Sequence, residues 1–99
     1  MIVRPILLAI AFAALVPAAE AASPAPPPGA VSCSGCHPAS KAVATPVPRL
    51  IGRNPAEIEA AMQAFRSHQR PASVMDRIAT GFSDDEIKAI AAWYAAQKD

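Results

Sequence analysis

The chain has 99 residues, which is enough for one small domain and leaves little room for a second. It carries 9 Lys and Arg against 8 Asp and Glu, a formal net charge of +1. This balance excludes a protein that binds nucleic acid by neutralising many phosphates, and it equally excludes a polybasic membrane anchor.

The N-terminus has the pattern of a secretory signal peptide. The charge of Arg4 precedes an apolar run from Ile6 to Val16, and Ala19-Glu20-Ala21 supplies the small residues that a signal peptidase reads. We therefore expect residues 1–21 to be a signal peptide and the rest of the chain to be exported. The apolar run has about 11 residues against the roughly 20 that span a bilayer, so a retained membrane anchor is the weaker interpretation.

Prolines divide the next part of the chain. Residues 22–30 are rich in proline and are predicted to be an extended linker, which makes 31–99 the folded domain. A second stretch broken by proline, from Pro38 to Pro55, is predicted to be an irregular loop rather than a strand.

The first long helix is predicted to start at Asn54-Pro55-Ala56-Glu57, where an N-cap residue precedes a proline and a glutamate follows three residues after the cap. An apolar stripe at helical spacing then consists of Ile58, Ala61, Met62 and Phe65. We expect this helix to run to about His68, because Pro71 forbids its continuation.

The last helix is predicted to begin with a capping box at Ser83-Asp84-Asp85-Glu86. Its apolar face consists of Ile87, Ile90, Ala91, Tyr94 and Ala95, with Trp93 off the centre of this face. Between the two helices, Val74 to Ala79 is predicted to form a short helix with a left-handed cap at Gly81. Because no segment alternates with period two, the sequence predicts an all-α fold.

The two cysteines of the chain lie in Cys33-Ser34-Gly35-Cys36-His37, a C-x-x-C-H pattern that is typical of covalent c-type haem attachment. Residues i, i+3 and i+4 lie on one face of a helical turn. Two thiols can therefore bind one porphyrin while the next imidazole binds its iron. The motif predicts one haem c, held covalently by Cys33 and Cys36 and ligated by His37.

Three other uses of the cysteine pair compete with haem. A thioredoxin-like redox pair requires a βαβ setting, which the predicted all-α fold does not offer. A structural zinc site requires four ligands, and only His68 is available to join the motif. A simple disulfide is compatible with an exported protein. Export itself favours haem, because bacterial c-type haem is attached in the compartment to which the signal peptide leads.

From this motif onward the chain resembles the small class I c-type cytochromes, over roughly Val31 to Gln97. The shared features are the motif, the segment Pro48-Arg49-Leu50-Ile51-Gly52, a late methionine and a final helix with an aromatic residue. The resemblance implies an all-α bundle around one haem with histidine and methionine as axial ligands. It also implies that the Pro48 carbonyl accepts a hydrogen bond from His37 and that Leu50 lies against the porphyrin.

Met75 is the methionine that the resemblance assigns to the sixth position of the iron. Pro71 ends the preceding helix and leaves the chain free to turn a thioether toward the metal. The alternatives are that Met75 fills the core, as we expect for Met62, and that His68 is the ligand instead. The predicted surroundings of the porphyrin are Leu50, Ile58, Met62, Phe65, Val74 and Ile78.

Five arginines surround the predicted pocket in the sequence: Arg49, Arg53, Arg66, Arg70 and Arg77. Most are expected to be solvated, and one or two of them are expected to pair with the haem propionates. Arg49 and Arg70 are the first choices for that role.

The stretch from Arg70 to Ile87 also resembles the cytochrome subunit of flavocytochrome c sulfide dehydrogenases, which are periplasmic pairs of a cytochrome and a flavoprotein. This resemblance implies a periplasmic electron-transfer protein, not itself an enzyme, that accepts single electrons from a redox partner such as a flavoprotein dehydrogenase subunit. The alternatives are a free electron shuttle, a haem enzyme or gas sensor with an open sixth position, and a haem-free exported module with a Cys33–Cys36 disulfide.

Overall fold

Four helices lie along the part of the chain that the structure describes. The computed structural model describes residues 1, 13–15 and 25–98. In chain order the helices are α1 (Ala30–Cys33), α2 (Pro55–Arg66), α3 (Met75–Ala79) and α4 (Asp84–Ala96). These residues contain no strand, which confirms the predicted all-α fold. The predicted signal peptide falls almost wholly outside the described residues.

At the start of α2, Asn54 and Pro55 have the predicted roles. Asn54 is the N-cap, its side-chain oxygen accepts a hydrogen bond of 2.9 Å from Ala56 N–H, and Pro55 is the first helical residue. Proline is suited to this position because its missing N–H would have no partner inside the helix.

The end of α2 differs from the prediction, because the helix stops at Arg66 rather than at about His68. His68 has a left-handed backbone with φ 58°. Its N–H donates to Phe65 O at 3.1 Å, and Gln69 N–H donates to Ala64 O at 2.9 Å. These two bonds form a Schellman motif, which usually has glycine where this chain has histidine.

The capping box of α4 is complete. Ser83 Oγ accepts a hydrogen bond from Glu86 N–H at 3.2 Å, and Glu86 Oε1 accepts one from Ser83 N–H at 3.0 Å. These bonds hold the pKa of the Glu86 carboxyl below its ordinary value. Three acidic residues in the first turn also complement the positive end of the helix dipole.

The predicted helix between α2 and α4 is present, but the predicted left-handed cap at Gly81 is wrong. α3 ends at Ala79 with Thr80 in a right-handed conformation, and among the described glycines only Gly29 and Gly52 have positive φ. The chain leaves α3 through successive turns, in which Gly81 N–H donates to Ile78 O at 3.1 Å. A right-handed turn of this kind does not require glycine.

The core lies where α2 and α4 pack together, and α3 also contacts α2. The predicted stripe of α4 is confirmed, since Ile87, Ile90, Ala91 and Tyr94 are all buried. On α2 only Ile58 is buried, while Met62 packs against the core from a partly buried position.

A polar clamp joins the end of α2 to the start of α4. Arg66 donates from Nη1 to Phe82 O at 3.0 Å and from Nη2 to Asp84, and Gln63 Nε2 donates to the same carboxylate at 2.9 Å. The bonds from Gln63 and Arg66 hold the pKa of Asp84 below its ordinary value.

Residues 34–53, here called the loop segment, connect α1 to the N-cap of α2. They contain turns and bends but no helix or strand, and none of them is buried. The predicted irregular loop from Pro38 to Pro55 is therefore confirmed as far as Asn54, since Pro55 begins α2. Within the described residues, no helix combines the length and the apolar character that a membrane crossing requires.

Candidate functional site

The residues of the C-x-x-C-H motif lie on one continuous turn. α1 ends at Cys33, whose carbonyl then accepts hydrogen bonds from Cys36 N–H at 3.2 Å and from His37 N–H at 2.9 Å. Both cysteines are free. The backbone therefore keeps the two thiols and the imidazole one turn apart, as the spacing predicts.

Helix α1 has only four residues, and contacts with distant parts of the chain fix its position. Ala30 is fully buried, and its carbonyl accepts a hydrogen bond from the buried Tyr94 hydroxyl. The preceding Gly29 has φ 85°, and a Cβ added to it would lie 2.4 Å from Phe82 Cε1. Only glycine fits this position, because it needs both the left-handed conformation and the close approach.

The two thiols differ in their surroundings. Cys33 is partly buried and packs against the core, whereas Cys36 is exposed. Burial raises the pKa of the Cys33 thiol above its ordinary value, and burial likewise raises the pKa of Tyr94. Redox-active cysteines have lowered pKa values, so the environment of Cys33 differs from that of a thioredoxin-like pair.

The imidazole of His37 is oriented by a carbonyl eleven residues further along the chain. Its Nδ1 lies 2.6 Å from Pro48 O, in a hydrogen bond. A carbonyl oxygen only accepts hydrogen bonds, so the proton lies on Nδ1 and the lone pair of the neutral ring lies on Nε2. This is the arrangement that histidine ligands of metals use, with one nitrogen fixed by the protein and the other free for the metal.

The segment that carries Pro48 is fixed at both ends. Arg49 donates from Nε and Nη2 to Ala39 O at 2.8 and 2.6 Å. On the other side Arg53 N–H donates to Leu50 O at 3.2 Å, and Gly52, with φ 72°, supplies the left-handed residue of this turn. Gly52 N–H also donates to Tyr94 O at 3.1 Å, which joins the segment to α4.

An apolar cavity of about 310 Å³ lies beside His37. Its walls are mainly apolar and come from α1, the loop segment and α4, and include Val31, Pro38, Leu50, Ile51 and Trp93. Leu50, predicted to lie against a porphyrin, thus shares an apolar space with the predicted iron ligand.

The two arginines predicted to bind propionates have different positions. The Arg49 guanidinium is hydrogen-bonded to Ala39 O, two residues after His37 in the chain. Arg70 is exposed and its guanidinium carbon lies 4.8 Å from the centre of the Phe65 ring, a cation–π contact at the end of α2. Pairing with propionates stays a prediction for both.

Met75 is the first residue of α3 and is partly buried. The apolar side chains on either side of it, Val74 and Ile78, are 48% and 40% exposed. Asp76 Oδ1 is buried and has no hydrogen-bond partner among the described residues. Uncovered apolar side chains and an unsatisfied buried acceptor are typical of a surface that a bound group completes. Met75 is not among the described residues that line the cavity beside His37.

The rival ligand His68 is exposed at the left-handed position of the Schellman motif. All residues from 67 to 74 are exposed as well.

Sequence reasoning missed two groups of the site. The Ala39 carbonyl, which receives Arg49, has no sequence signal, because a backbone oxygen is present at every position. Tyr94 was predicted to lie on the apolar face of α4, and its burial confirms this. The hydrogen bond of its hydroxyl to Ala30 O was not predicted. A buried tyrosine hydroxyl usually finds an acceptor, and that rule was the available signal.

The residues present fit a covalently bound haem. Cys33 and Cys36 are free thiols one turn apart, the Nε2 lone pair of His37 is left for a metal, and apolar walls adjoin the ring. No group of three or more His, Cys, Asp or Glu side chains that could hold a metal ion occurs among residues 1, 13–15 and 25–98.

Three curated proteins are similar to this chain. The cytochrome subunit of sulfide dehydrogenase from Chlorobaculum tepidum is 34% identical over 65% of this chain and 58% of its own length. Cytochrome c-554(548) from Halomonas halodenitrificans is 34% identical over 68% of this chain and 86% of its own length. The thiosulfate dehydrogenase electron acceptor from Thiomonas intermedia is 34% identical over 70% of this chain and 34% of its own length.

The chain thus spans less than two thirds of the sulfide dehydrogenase subunit and about a third of the thiosulfate dehydrogenase acceptor. No protein-family model and no solved structure matches it. The cytochrome from Halomonas halodenitrificans is covered over nearly its whole length. With the motif turn and the oriented His37, this similarity makes the chain a member of the small c-type cytochromes.

Proposed function

We propose that this protein is a periplasmic monohaem cytochrome that accepts single electrons from a partner dehydrogenase. The observation that carries the proposal is the hydrogen bond from His37 Nδ1 to Pro48 O, which leaves Nε2 for iron. Cys33 and Cys36 would hold the haem through thioethers. When bound, the haem supplies an iron that exchanges one electron.

Met75 is proposed as the second axial ligand. Its partial burial at the start of α3 and the exposed Val74 and Ile78 beside it support this role. With a histidine and a methionine in place, the protein leaves no open position for a substrate or a gas. The chain is then an electron carrier and not an enzyme, in agreement with the names of its relatives.

The partner is proposed to be a dehydrogenase of reduced sulfur compounds, with a flavoprotein as the first candidate. Two of the three relatives are named for sulfide or thiosulfate dehydrogenase. The third, cytochrome c-554(548), is named without a partner and favours a second candidate function, that of a free electron shuttle. Periplasmic location follows from the expected signal peptide at 1–21.

Visible spectra of the protein expressed with haem-attachment machinery test the haem. We expect a low-spin spectrum, and we expect the haem to stay on the chain after denaturation. Loss of covalent haem is expected when Cys33 and Cys36 are both replaced by Ala. A colourless wild-type protein would contradict the proposal.

Three matched variants test the second ligand. Met75→Leu should abolish the weak far-red absorption of a methionine-ligated iron, whereas Met62→Leu should keep it, because Met62 packs against the core. His68→Ala should also keep it. If only His68→Ala changes the spectrum, the ligand is His68 and the Met75 assignment is wrong.

Stopped-flow reduction tests the partner. The oxidised cytochrome is mixed with a purified flavoprotein sulfide dehydrogenase subunit and sulfide, and haem reduction is compared with a control that lacks the flavoprotein. Reduction that depends on the flavoprotein supports the partner assignment. Equal rates with and without it would favour the free shuttle.

A further inference from the structure

Two neighbouring contacts join the chain after His37 to the chain around Pro48. His37 Nδ1 donates to Pro48 O at 2.6 Å. Next to it, Arg49 Nε and Nη2 both donate to Ala39 O at 2.8 and 2.6 Å. One contact therefore pairs residue 37 with residue 48, and the other pairs 39 with 49.

Packing against the core acts on the residues that follow Arg49, because Leu50 and Ile51 are partly buried and contact the core cluster. No residue of the loop segment is buried, and Pro48 itself is exposed. The position of the exposed Pro48 carbonyl therefore depends in part on the polar contacts of its neighbours. Hydrogen bonds from a charged donor are roughly twice as strong as those between neutral groups, and the planar fork of a guanidinium restricts its acceptor more than a single donor does.

We propose that Arg49 is a positioning residue, which holds the Pro48 carbonyl against His37 Nδ1–H and thereby sets the electron-donating strength of Nε2. This inference rests on the proposed ligation of haem iron by His37. A hydrogen bond that withdraws the Nδ1 proton toward a carbonyl makes the imidazole a more basic ligand. A more basic ligand stabilises the oxidised iron and lowers the midpoint potential.

Positioning of Pro48 by Arg49 and pairing of Arg49 with a haem propionate have opposite effects on the midpoint potential. If Arg49 positions Pro48, its removal weakens the bond to His37 and the midpoint potential rises. If Arg49 acts only as a positive charge near the haem, its removal stabilises the oxidised iron and the potential falls. Because Arg49→Gln removes the charge under either role, the exchange rate of the His37 Nδ1 proton separates the two roles. Arg49→Lys keeps the charge and therefore shows the effect of the weakened bond on the potential.

Nuclear magnetic resonance of the reduced, diamagnetic holoprotein gives the direct measurement, which is the solvent exchange rate of the His37 Nδ1 proton. In Arg49→Gln we expect exchange to be about tenfold faster, the factor that matches a loss of about 1.4 kcal/mol in a hydrogen bond. Arg49→Lys keeps the charge and one hydrogen-bond donor, so its exchange rate should lie between those of the wild type and Arg49→Gln. The matched control is Arg53→Gln, which removes the same charge from the exposed end of this segment.

Faster exchange in Arg49→Gln, a raised potential in Arg49→Lys, and neither change in Arg53→Gln support the proposal. Unchanged exchange with a lowered potential overturns it and assigns Arg49 to the haem charges. A wild-type protein without covalent haem would contradict the proposed function. The presence of covalent haem in the wild type is therefore checked before any variant is compared.

The wild-type protein provides a second measurement in case Arg49→Gln does not accumulate. The Arg49 Nε proton should exchange at least about tenfold more slowly than the corresponding proton of Arg53, because it is hydrogen-bonded to Ala39 O. Equal exchange rates for the two arginines would overturn the proposal.

Discussion

The helical half of the molecule, formed by α2, α3 and α4, and the loop segment are stabilised in different ways. In the helical half, buried aliphatic side chains meet between α2 and α4, and local caps satisfy the helix ends. In the loop segment no residue is buried. Hydrogen bonds to the backbone carbonyls of Pro48, Ala39 and Tyr94 hold it. Apolar contact with the core comes from its partly buried residues Leu50 and Ile51.

The difference shows how a small domain can place a ligand without a large core. The helical half supplies most of the buried residues. The loop segment is attached to it by the partly buried Leu50 and Ile51 and by a few hydrogen bonds. Such hydrogen bonds contribute little energy each but restrict geometry strongly. Substitutions where the two regions meet should therefore cause the largest losses in the free energy of unfolding.

The largest effect is expected for Gly29→Ala, where α1 meets Phe82. The variant adds the strain of a left-handed alanine to a contact of 2.4 Å, and we expect a loss of about 3 kcal/mol in the free energy of unfolding. Denaturant unfolding of the holoprotein followed by circular dichroism measures it.

Gly52→Ala is the matched control for strain without a clash. Gly52 also has positive φ, at 72°, but its added Cβ would meet nothing closer than Gln97 O at 4.0 Å. Its expected cost is about 1 kcal/mol, from strain alone. Equal losses in the two variants would show that the contact with Phe82 does not fix α1.

Tyr94→Phe should cost about 2 kcal/mol, because it leaves the buried Ala30 carbonyl without its partner. Thermal or denaturant unfolding of the holoprotein measures the loss. Thr80→Val removes a comparable bond, from Thr80 Oγ1 to Arg77 O, at an exposed position, and should change stability by less than about 0.5 kcal/mol. A Tyr94→Phe protein as stable as the wild type would show that this hydrogen bond does not stabilise the position of α1.

Ser83→Ala tests the helical half alone and should cost about 1 kcal/mol through loss of the N-cap of α4. Asn54→Ala removes the N-cap of α2 and is expected to cost about the same. In neither variant should the His37 Nδ1 proton exchange faster, since both caps lie outside the loop segment. A change in that exchange rate would contradict the separation of the two regions.

The smallest effect concerns the clamp between α2 and α4 at low pH. The pKa of Asp84 is lowered from an ordinary value of 3.8 by Gln63 and Arg66. Its contribution to stability is therefore present above about pH 4 and is lost as the pH falls through the lowered pKa.

Asp84→Asn should lose this part of the acid dependence, measured as unfolding free energy between pH 2 and pH 7. Asp85→Asn removes the same charge from the same helical turn and is the control. Identical acid profiles for the two variants would show that the clamp does not stabilise the carboxylate.

The sequence predicted the helical half more accurately than the loop segment. Helix positions follow from short-range rules, and the caps at Asn54 and Ser83 and the stripe of α4 are confirmed. Two local predictions were wrong, because α2 ends in a Schellman motif at His68 and α3 leaves by right-handed turns before Gly81. Both cases involve a choice between capping conformations of similar energy, which the glycine rule decides only on average.

In the candidate site, the sequence predicted only those features that belong to a recognisable sequence motif. The motif turn follows from its spacing, and the bond from His37 to Pro48 O, which the family resemblance implied, is present in the structure. The partner of Arg49 was not foreseeable, because its acceptor is a backbone oxygen ten residues away. The roles of Met75 and of the arginines toward haem stay predictions.

The hydrogen bond from Tyr94 to Ala30 has a consequence for the order of events during folding. It spans 64 residues, and Gly52 is joined to the same residue of α4. A contact of such long range forms only after the intervening chain has closed into a loop, and loop closure slows folding. Until Tyr94 is in place, the turn that carries Cys33 and Cys36 has only its local hydrogen bonds. The thiol of Cys33, which is partly buried in the folded domain, is therefore more accessible early in folding than after the domain has closed.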